Sequence, residues 1–452
     1  MNTLPAGWRT DNLGNIAISI RNGIFARRPS DEPGGIPILR ISAVKGGRLD
    51  LTARKYVDGI EAETVAKFSI DPGDLLLTRY NGSRDLVGRC ALVPKHAGPL
   101  LHPDKLIRVV LRPDVIDSRF AALYLESQSV RSFLEPRIKT TAGQSGIAGG
   151  DVRSIPFSFP DISEQRRIVD ILEDHLSRLD AAEAGLIRST RRLSALREAF
   201  LREALTGANL PGPREHRLPP EVGVDDGAFP LLPNGWQWLR LADVADVVGG
   251  VTKDSKRQDD PAFVEVPYLR VANVQRGHLR LDYVATIRVA PSKAAALRLK
   301  PGDVLLNEGG DRDKLARGWI WEGQIDDCIH QNHVFRARVR DDRIDPRLLS
   351  WAANTLGAPW AEHNGKQTTN LASISLSKIR LMPLPIPPRD MQTGLVQQIS
   401  DQLAGIDRLT KQVTSSLARS EALRKSLLDA AFTGRLTGLA CDVDMVEELA
   451  GV

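Results

Sequence analysis

The chain has 452 residues, 42% hydrophobic and 26% charged, with a net charge of +5 and three cysteines. That length exceeds what one hydrophobic core usually holds, so several domains are expected. Cys90, Cys328 and Cys441 form no Cys-x-x-Cys pair, which excludes a disulfide framework and a cysteine-based zinc site.

Residues 1–160 read as a strand-rich module. Aliphatic runs such as Ile36 to Val44, Asp74 to Thr78, Arg89 to Val93 and Leu106 to Leu111 are punctuated by glycine and proline turns, and a helix is expected over Ser118 to Leu134. The strand entered at Pro72-Gly73-Asp74 runs out into a polar loop holding Arg79, Tyr80, Asn81, Ser83 and Arg84. A second polar loop carries Thr140, Thr141, Gln144 and Ser145.

Residues 161–207 read as one helix. Leu172, Leu179, Leu186, Leu193 and Phe200 recur every seven residues, flanked by Ile168, Leu176, Leu196 and Leu205, with no internal proline. Asp161 or Ser163 would cap its start and Thr206-Gly207 its end. A stripe of this spacing demands a partner helix. Residues 208–232 then hold five prolines and three glycines, the composition of an extended connector without a core of its own.

Residues 233–387 repeat the first module. Pro5, Gly7 and Trp8 return as Pro233, Gly235 and Trp236, Ile36 to Ile41 as Val266 to Val271, and Pro72-Gly73-Asp74 as Pro301-Gly302-Asp303. A helix is expected over Pro346 to Asn354. The loop after the second Pro-Gly-Asp strand holds Asn307, Glu308, Asp311 and Arg312, and the second loop Lys366, Gln367, Thr368 and Thr369. From Pro156/Pro383 through Gln165/Gln392 and Asp180/Asp407 to Thr206/Thr433 the offset stays at 227, as continuous helix requires.

Residues 388–436 are the second helix, with Ile399, Ile406, Val413 and Leu427 in the seven-residue row and Ser420 in its fourth place. Leu403, Leu409, Leu417 and Leu423 reinforce that stripe, and residues 437–452 form a tail. Each helix is the other's obvious partner, and connectivity favours antiparallel pairing. The expected fold is α+β: two strand-rich modules separated by two long antiparallel helices that form an intramolecular coiled coil, pseudo-twofold symmetric.

Charge is concentrated in the modules, +6 over residues 1–160 and +4 over 233–387, while residues 161–207 carry −1 and 388–434 carry +1. A polyanion would therefore meet the modules. The loop tips differ between copies although the surrounding scaffold matches, which suits two heads reading different sequences: Arg fits guanine, Asn adenine, and acidic groups the cytosine amine. Arg27, Arg28, Lys253, Lys256 and Arg257 are better suited to phosphates.

Catalytic signatures are missing where they can be checked. Gly365-Lys366 is followed by Gln367 and makes no phosphate loop, and neither a dinucleotide fingerprint nor an Asn-Pro-Pro-aromatic motif occurs. Neither Asp74 nor Asp303 is followed by the acidic-x-Lys pair of a metal nuclease, and the His330/His333 pair has no second histidine in the first copy. The chain reads as one that recognises and does not react. No catalytic residue and no metal site are assigned.

The layout resembles the specificity subunit of type I restriction-modification enzymes over nearly the whole chain. The resemblance is carried by Pro-x-Gly-Trp at Pro5 and Pro233, the Gly-Asp strand starts at 73 and 302, the helix entry Pro160, Glu164, Gln165 and Ile168, and the helix exit Phe432 to Leu436. Met391 and Leu395 stand where the first copy has Glu164 and Ile168, and Leu205 where the second has Phe432. The resemblance implies two target recognition domains, each reading half of a bipartite double-stranded DNA site, with the helices fixing the gap and docking two methyltransferase subunits. It further implies S-adenosylmethionine, ATP and Mg on partner subunits, none on this chain, with a restriction/translocase subunit in the complete enzyme. The setting it implies is bacterial or archaeal cytoplasm, nucleoid-associated when DNA is bound and away from membrane. Two competing readings are a single-chain DNA-modifying enzyme with an unrecognised site and a coiled-coil protein scaffold.

Overall fold

The computed structural model describes residues 7–26, 29–141, 143–215, 217–255, 258–367 and 371–436. It divides into two compact units, Met1–Ile187 with Thr414–Val452, and Arg188–Val413. Helices Ile162–Thr206 and Arg389–Phe432 each contribute one part to either unit.

In the first unit a four-stranded antiparallel sheet runs in the order Ala17–Asn22, Leu106–Leu111, Leu75–Thr78, Cys90–Leu92. The central strand Leu75–Thr78 is buried throughout because its alternating side chains enter different cores. Leu75 and Leu77 face Ile107, Val109 and Phe120, whereas Leu76 packs with Leu39, Ala91 and Leu106. Arg9–Asn12 pairs with Pro156–Phe159, bringing the beginning of the module beside the segment that feeds the long helix.

The second unit repeats this order as Ala245–Val248, Val334–Val339, Val304–Asn307, Gly318–Ile320, with Gln237–Arg240 on Pro383–Ile386. Val304 and Leu306 enter one core and Leu305 another. The expected α+β class, strand-rich modules and long helices are therefore observed.

The Pro-Gly-Asp turns have a structural cause. Gly73 and Gly302 take φ of +95° and +93°, a region costly for any residue with a Cβ. The next carboxylate ties the turn to the sheet: Asp74 accepts from the Asp71 amide at 2.7 Å and Arg108 Nε at 2.6 Å, and Asp303 from the Lys300 amide and Arg338, both at 2.7 Å. Burial raises the Asp74 carboxyl above its ordinary range, opposed by the Asp71 amide and Arg108.

The long helices pair antiparallel within each unit. In the first, Leu172 and Leu176 share a core with Leu427, Leu428, Ala431 and Phe432, Ser420 donates to Glu183 at 2.7 Å, and Arg424 pairs with Asp180. In the second, Leu201, Ala204 and Leu205 pack with Val396, Ile399 and Leu403, and Arg197 pairs with Asp407. Of the expected seven-residue rows, Leu172, Ile399, Ile406 and Leu427 are buried, while Leu179, Leu186, Leu193, Phe200 and Val413 are half-buried.

Two expected reinforcements lie off the seam: Leu196 is 54% and Leu409 50% exposed. A seam has two rows, and the second row here runs Leu176, Glu183, Thr190, Arg197, Ala204, placing Leu196 one residue outside it.

Helix start and module are joined by the same knot in both copies. Buried Gln165 donates to the Val115 and Pro160 carbonyls, both at 3.0 Å, and accepts from the Asp117 amide at 2.9 Å. Gln392 does the same with Arg343 (3.0 Å), Pro387 (3.1 Å) and Asp345 (2.7 Å).

Three expectations are corrected. The helix expected over Ser118 to Leu134 is two, Ser118–Leu125 and Gln128–Leu134, separated where Glu126 turns to accept from the Cys90 amide (2.6 Å) and Arg89 (3.0 Å). The helix from Pro346 passes Asn354 as a π-turn and continues to Asn364, because the Asn354 amide is held by both backbone groups of Gly318. Segment 208–232 does have packing: Arg214–Glu215 pairs with Leu232–Pro233, Leu210 and Phe229 join Trp236 and Trp238, and Asp226 binds Arg240 and Trp360 Nε1. Proline and glycine content revealed the extended backbone but not the apolar side chains spaced along it.

Candidate nucleic-acid interface

Both polar loops of each module meet on one small antiparallel sheet. In the first unit the hairpin Lys139–Thr141 and Gln144–Gly146 joins Tyr80–Asn81, with Ser145 opposite Asn81 and Gly146 opposite Tyr80. In the second, Lys366–Gln367 and Ala372–Ser373 join Gly309–Gly310. Gly146 is required by the approach of the neighbouring ring: a Cβ there would lie 2.2 Å from Tyr80.

A third segment tethers each loop. The Lys105 carbonyl accepts from the Arg79 amide at 2.8 Å, and its counterpart His333 accepts from Glu308 at 3.0 Å. Lys105 and His333 are exposed. Sequence reasoning missed both, although the 228-residue offset between His102–Lys105 and His330–His333 was visible; those stretches had been weighed only as metal ligands. Their histidines serve the interior: His102 Nδ1 meets the Phe68 carbonyl at 2.8 Å and His330 Nδ1 the Val334 carbonyl at 2.6 Å, so Nδ1 carries the proton. Burial pushes each down to about 4. Among the described residues no cluster of His, Cys, Asp and Glu could hold a metal.

The candidate residues divide by what they already bond. In the first unit Arg79 stacks over Tyr80, 4.6 Å from the ring centre, and donates to the Asp104 carbonyl at 3.3 Å. Asn81 accepts from the Ser83 amide at 2.9 Å, which fixes the turn, and the Thr140 and Ser145 hydroxyls lie 2.8 Å apart. Ser83, Thr140, Thr141 and Gln144 are exposed. Arg84, although exposed, is already occupied within the module, donating to Glu135 Oε1 (2.7 Å), the Glu135 carbonyl (2.7 Å) and the Ile138 carbonyl (3.1 Å).

In the second unit Asn307 is wholly buried and donates to the Val274 carbonyl at 2.9 Å, so it belongs to the core beneath the loop and not to its tip. Glu308 pairs with His333 Nδ1 at 2.6 Å. Asp311 pairs with Lys314, whose hydrogen bond holds the Asp311 carboxyl below its ordinary range. Arg312 reaches Gln367 Oε1 at 3.4 Å, linking the two loops, and Lys253, Lys366 and Gln367 are exposed. Arg27, Arg28, Lys256, Arg257, Thr368, Thr369 and the tail 437–452 lie outside the described residues.

Each unit thus presents an equivalent sheet edge, rich in donors and acceptors, whose side chains differ between copies. Such an edge can hydrogen-bond base edges and phosphates.

The chain is similar to known proteins. Residues 5–188 match the family described as type I restriction modification DNA specificity domain. The Type I restriction enzyme EcoKI specificity subunit of Escherichia coli (strain K12) is 35% identical over 43% of this chain, a stretch spanning only 42% of that relative. The EcoDI specificity subunit of Escherichia coli is 22% identical over 96% of this chain and 90% of its own length. A solved structure from work on complex assembly and conformational transition of the type I R-M system covers 96% of this chain and 100% of its own, with TM-score 0.68 at 19% identity, a likeness of fold. Residues 5–188 thus match the type I restriction modification DNA specificity domain, and the chain along nearly its whole length is similar to type I restriction enzyme specificity subunits.

Proposed function

We propose that this chain is the DNA specificity subunit of a type I restriction-modification complex, reading a bipartite, asymmetric duplex target with one half-site per module. The observation that carries this reading is the duplicated three-stranded edge: backbone pairing is conserved between copies while the polar side chains on it and on the turn that follows change from Tyr80, Thr141 and Gln144 to Asp311, Arg312, Lys366 and Gln367. A shared enzymatic site would need the same chemistry in both copies, and a scaffold alone would not need polar tips. The long helices set the unspecified gap and dock two methyltransferase subunits. S-adenosylmethionine, ATP and Mg act on those subunits and on a restriction/translocase subunit, and this chain supplies no catalytic group.

The test is single-molecule methylome sequencing of the source cell with and without this gene. Loss of one gapped methyladenine motif is expected. Exchanging residues 233–387 for those of another family member should alter one half of that motif and leave the other intact; unchanged methylation in both strains would sink the reading.

A further inference from the structure

Phe25 is 73% exposed, yet the backbone just before it is tied down at Gly23 and Ile24. Its neighbours Ile24 and Ala26 pack against Ile38, Val57 and Leu101, so strand-like alternation turns Phe25 outward between them. Ile24 pairs with Pro103, its carbonyl accepts from the Asp104 amide at 2.9 Å, and the preceding Gly23 is so close to the 102–103 backbone that a Cβ would lie 2.1 Å from the His102 carbonyl oxygen. Asp104 also accepts from Arg79, and Lys105 from the Arg79 amide. One run of hydrogen bonds therefore joins Ile24, the residue before Phe25, to the polar edge.

The second module builds the same mount. Gly250 is pressed against the His330 carbonyl (2.0 Å to a Cβ), Val251 pairs with Gln331, and the Asn332 amide donates to the Val251 carbonyl at 2.9 Å. The residue mounted there is Thr252, also exposed. A duplicated support that displays phenylalanine in one copy and threonine in the other has the pattern of the reading loops themselves. A large apolar ring displayed in water on a backbone bonded through Asp104 to the Arg79 and Lys105 segment has little surface to uncover before it meets an apolar feature of the ligand. In the major groove of DNA the apolar feature is the thymine 5-methyl group.

We propose that Phe25 is a specificity residue that contacts a thymine methyl in the half-site read by the first module. This rests on the DNA-reading function above and adds that the half-site contains a thymine whose methyl is recognised.

The test uses the full chain with its methyltransferase subunits and synthetic duplexes of the motif found by methylome sequencing, with each thymine replaced in turn by uracil, which removes only the methyl. One replacement in the first half-site should weaken binding about 4-fold, the order expected for one buried methyl. The Phe25→Ala complex should bind thymine and uracil duplexes equally at that position, while Phe25→Leu should retain part of the preference. A half-site without thymine, or uracil duplexes bound as tightly as the parent by the unaltered complex, overturns the assignment while leaving sequence reading intact. Absence of sequence-specific binding to the parent duplex overturns both.

Discussion

Arg424 pairs with Asp180 in the first unit, and the repeat reproduces that pair in the second as Arg197 with Asp407, each residue 227 positions from its counterpart. The pair occupies or adjoins the helix seam where an apolar row would otherwise continue. Ionic groups there give little net stability but penalise a shifted register, because a slip of one turn would leave them facing apolar neighbours.

Charge reversal measures this directly. With both side chains about 30% exposed, the pair should contribute about 0.5–1 kcal/mol. Asp180→Arg should lower stability by that order or slightly more, since Arg48 also pairs with Asp180, and Asp180→Arg with Arg424→Asp should recover most of the loss. Denaturant unfolding of the four proteins in the cycle gives the coupling energy; a coupling of zero would mean that the register is set by apolar packing alone.

A larger effect is expected at the helix entry. Replacing Gln165 by Ala leaves the Asp117 amide and the Val115 and Pro160 carbonyls without their partner in a buried site, a loss of about 2–3 kcal/mol. Gln165→Glu should be no better, because a carboxylate accepts from Asp117 but cannot donate to the two carbonyls. The measurement is the unfolding midpoint of the full chain, with Gln392→Ala as the parallel variant in the second unit.

His102 and His330 should give the chain an acid-sensitive stability. Burial lowers both to about 4 from an ordinary value of 6.5, so between those values the unfolded chain takes up protons that the folded chain refuses. Their stabilising contribution is complete above about pH 6.5 and is lost as pH falls towards 4, about 3 kcal/mol for each. Stability measured at pH 7 and pH 4.5 should differ less in His102→Asn and His330→Asn, whose side-chain amides can replace Nδ1–H as donor without titrating. An equal pH dependence in parent and variants would show that these histidines titrate as they do in water.

Much of this architecture was legible because it is written twice. The locked offset from Pro156/Pro383 to Thr206/Thr433 marks uninterrupted helix, and the Gly-Asp turns mark the starts of the central strands. The buried Asn307 was not legible, since a polar residue after a strand and before Gly309-Gly310 looks like a loop tip until the Val274 carbonyl is seen to take its amide. Arg84 misled for a related reason: sequence shows a cation in a polar loop but not the Glu135 and Ile138 acceptors some fifty residues away. Lys105 and Phe25 were missed because their importance comes from backbone hydrogen bonds of Lys105 to Arg79 and of Ile24, beside Phe25, to Asp104, which only the fold brings together.

That difference between polar groups already bonded within the module and those left free at its surface separates stability from recognition in the first module. Arg84→Ala should lower the unfolding midpoint through loss of the Glu135 pair and the two carbonyl contacts. Its effect on DNA affinity should shrink as the temperature is lowered and the fold recovers. Thr141→Ala and Gln144→Ala remove exposed side chains from the hairpin and should leave the unfolding midpoint unchanged within about 0.5 kcal/mol. Under the proposed function, the two substitutions instead weaken binding to the cognate duplex, with a base-edge contact worth about 1–3 kcal/mol, and relax discrimination at single positions of one half-site. Thermal unfolding and competition binding on the same variants resolve the two classes, and loss of affinity in proportion to loss of stability across all three would remove the hairpin from the reading surface.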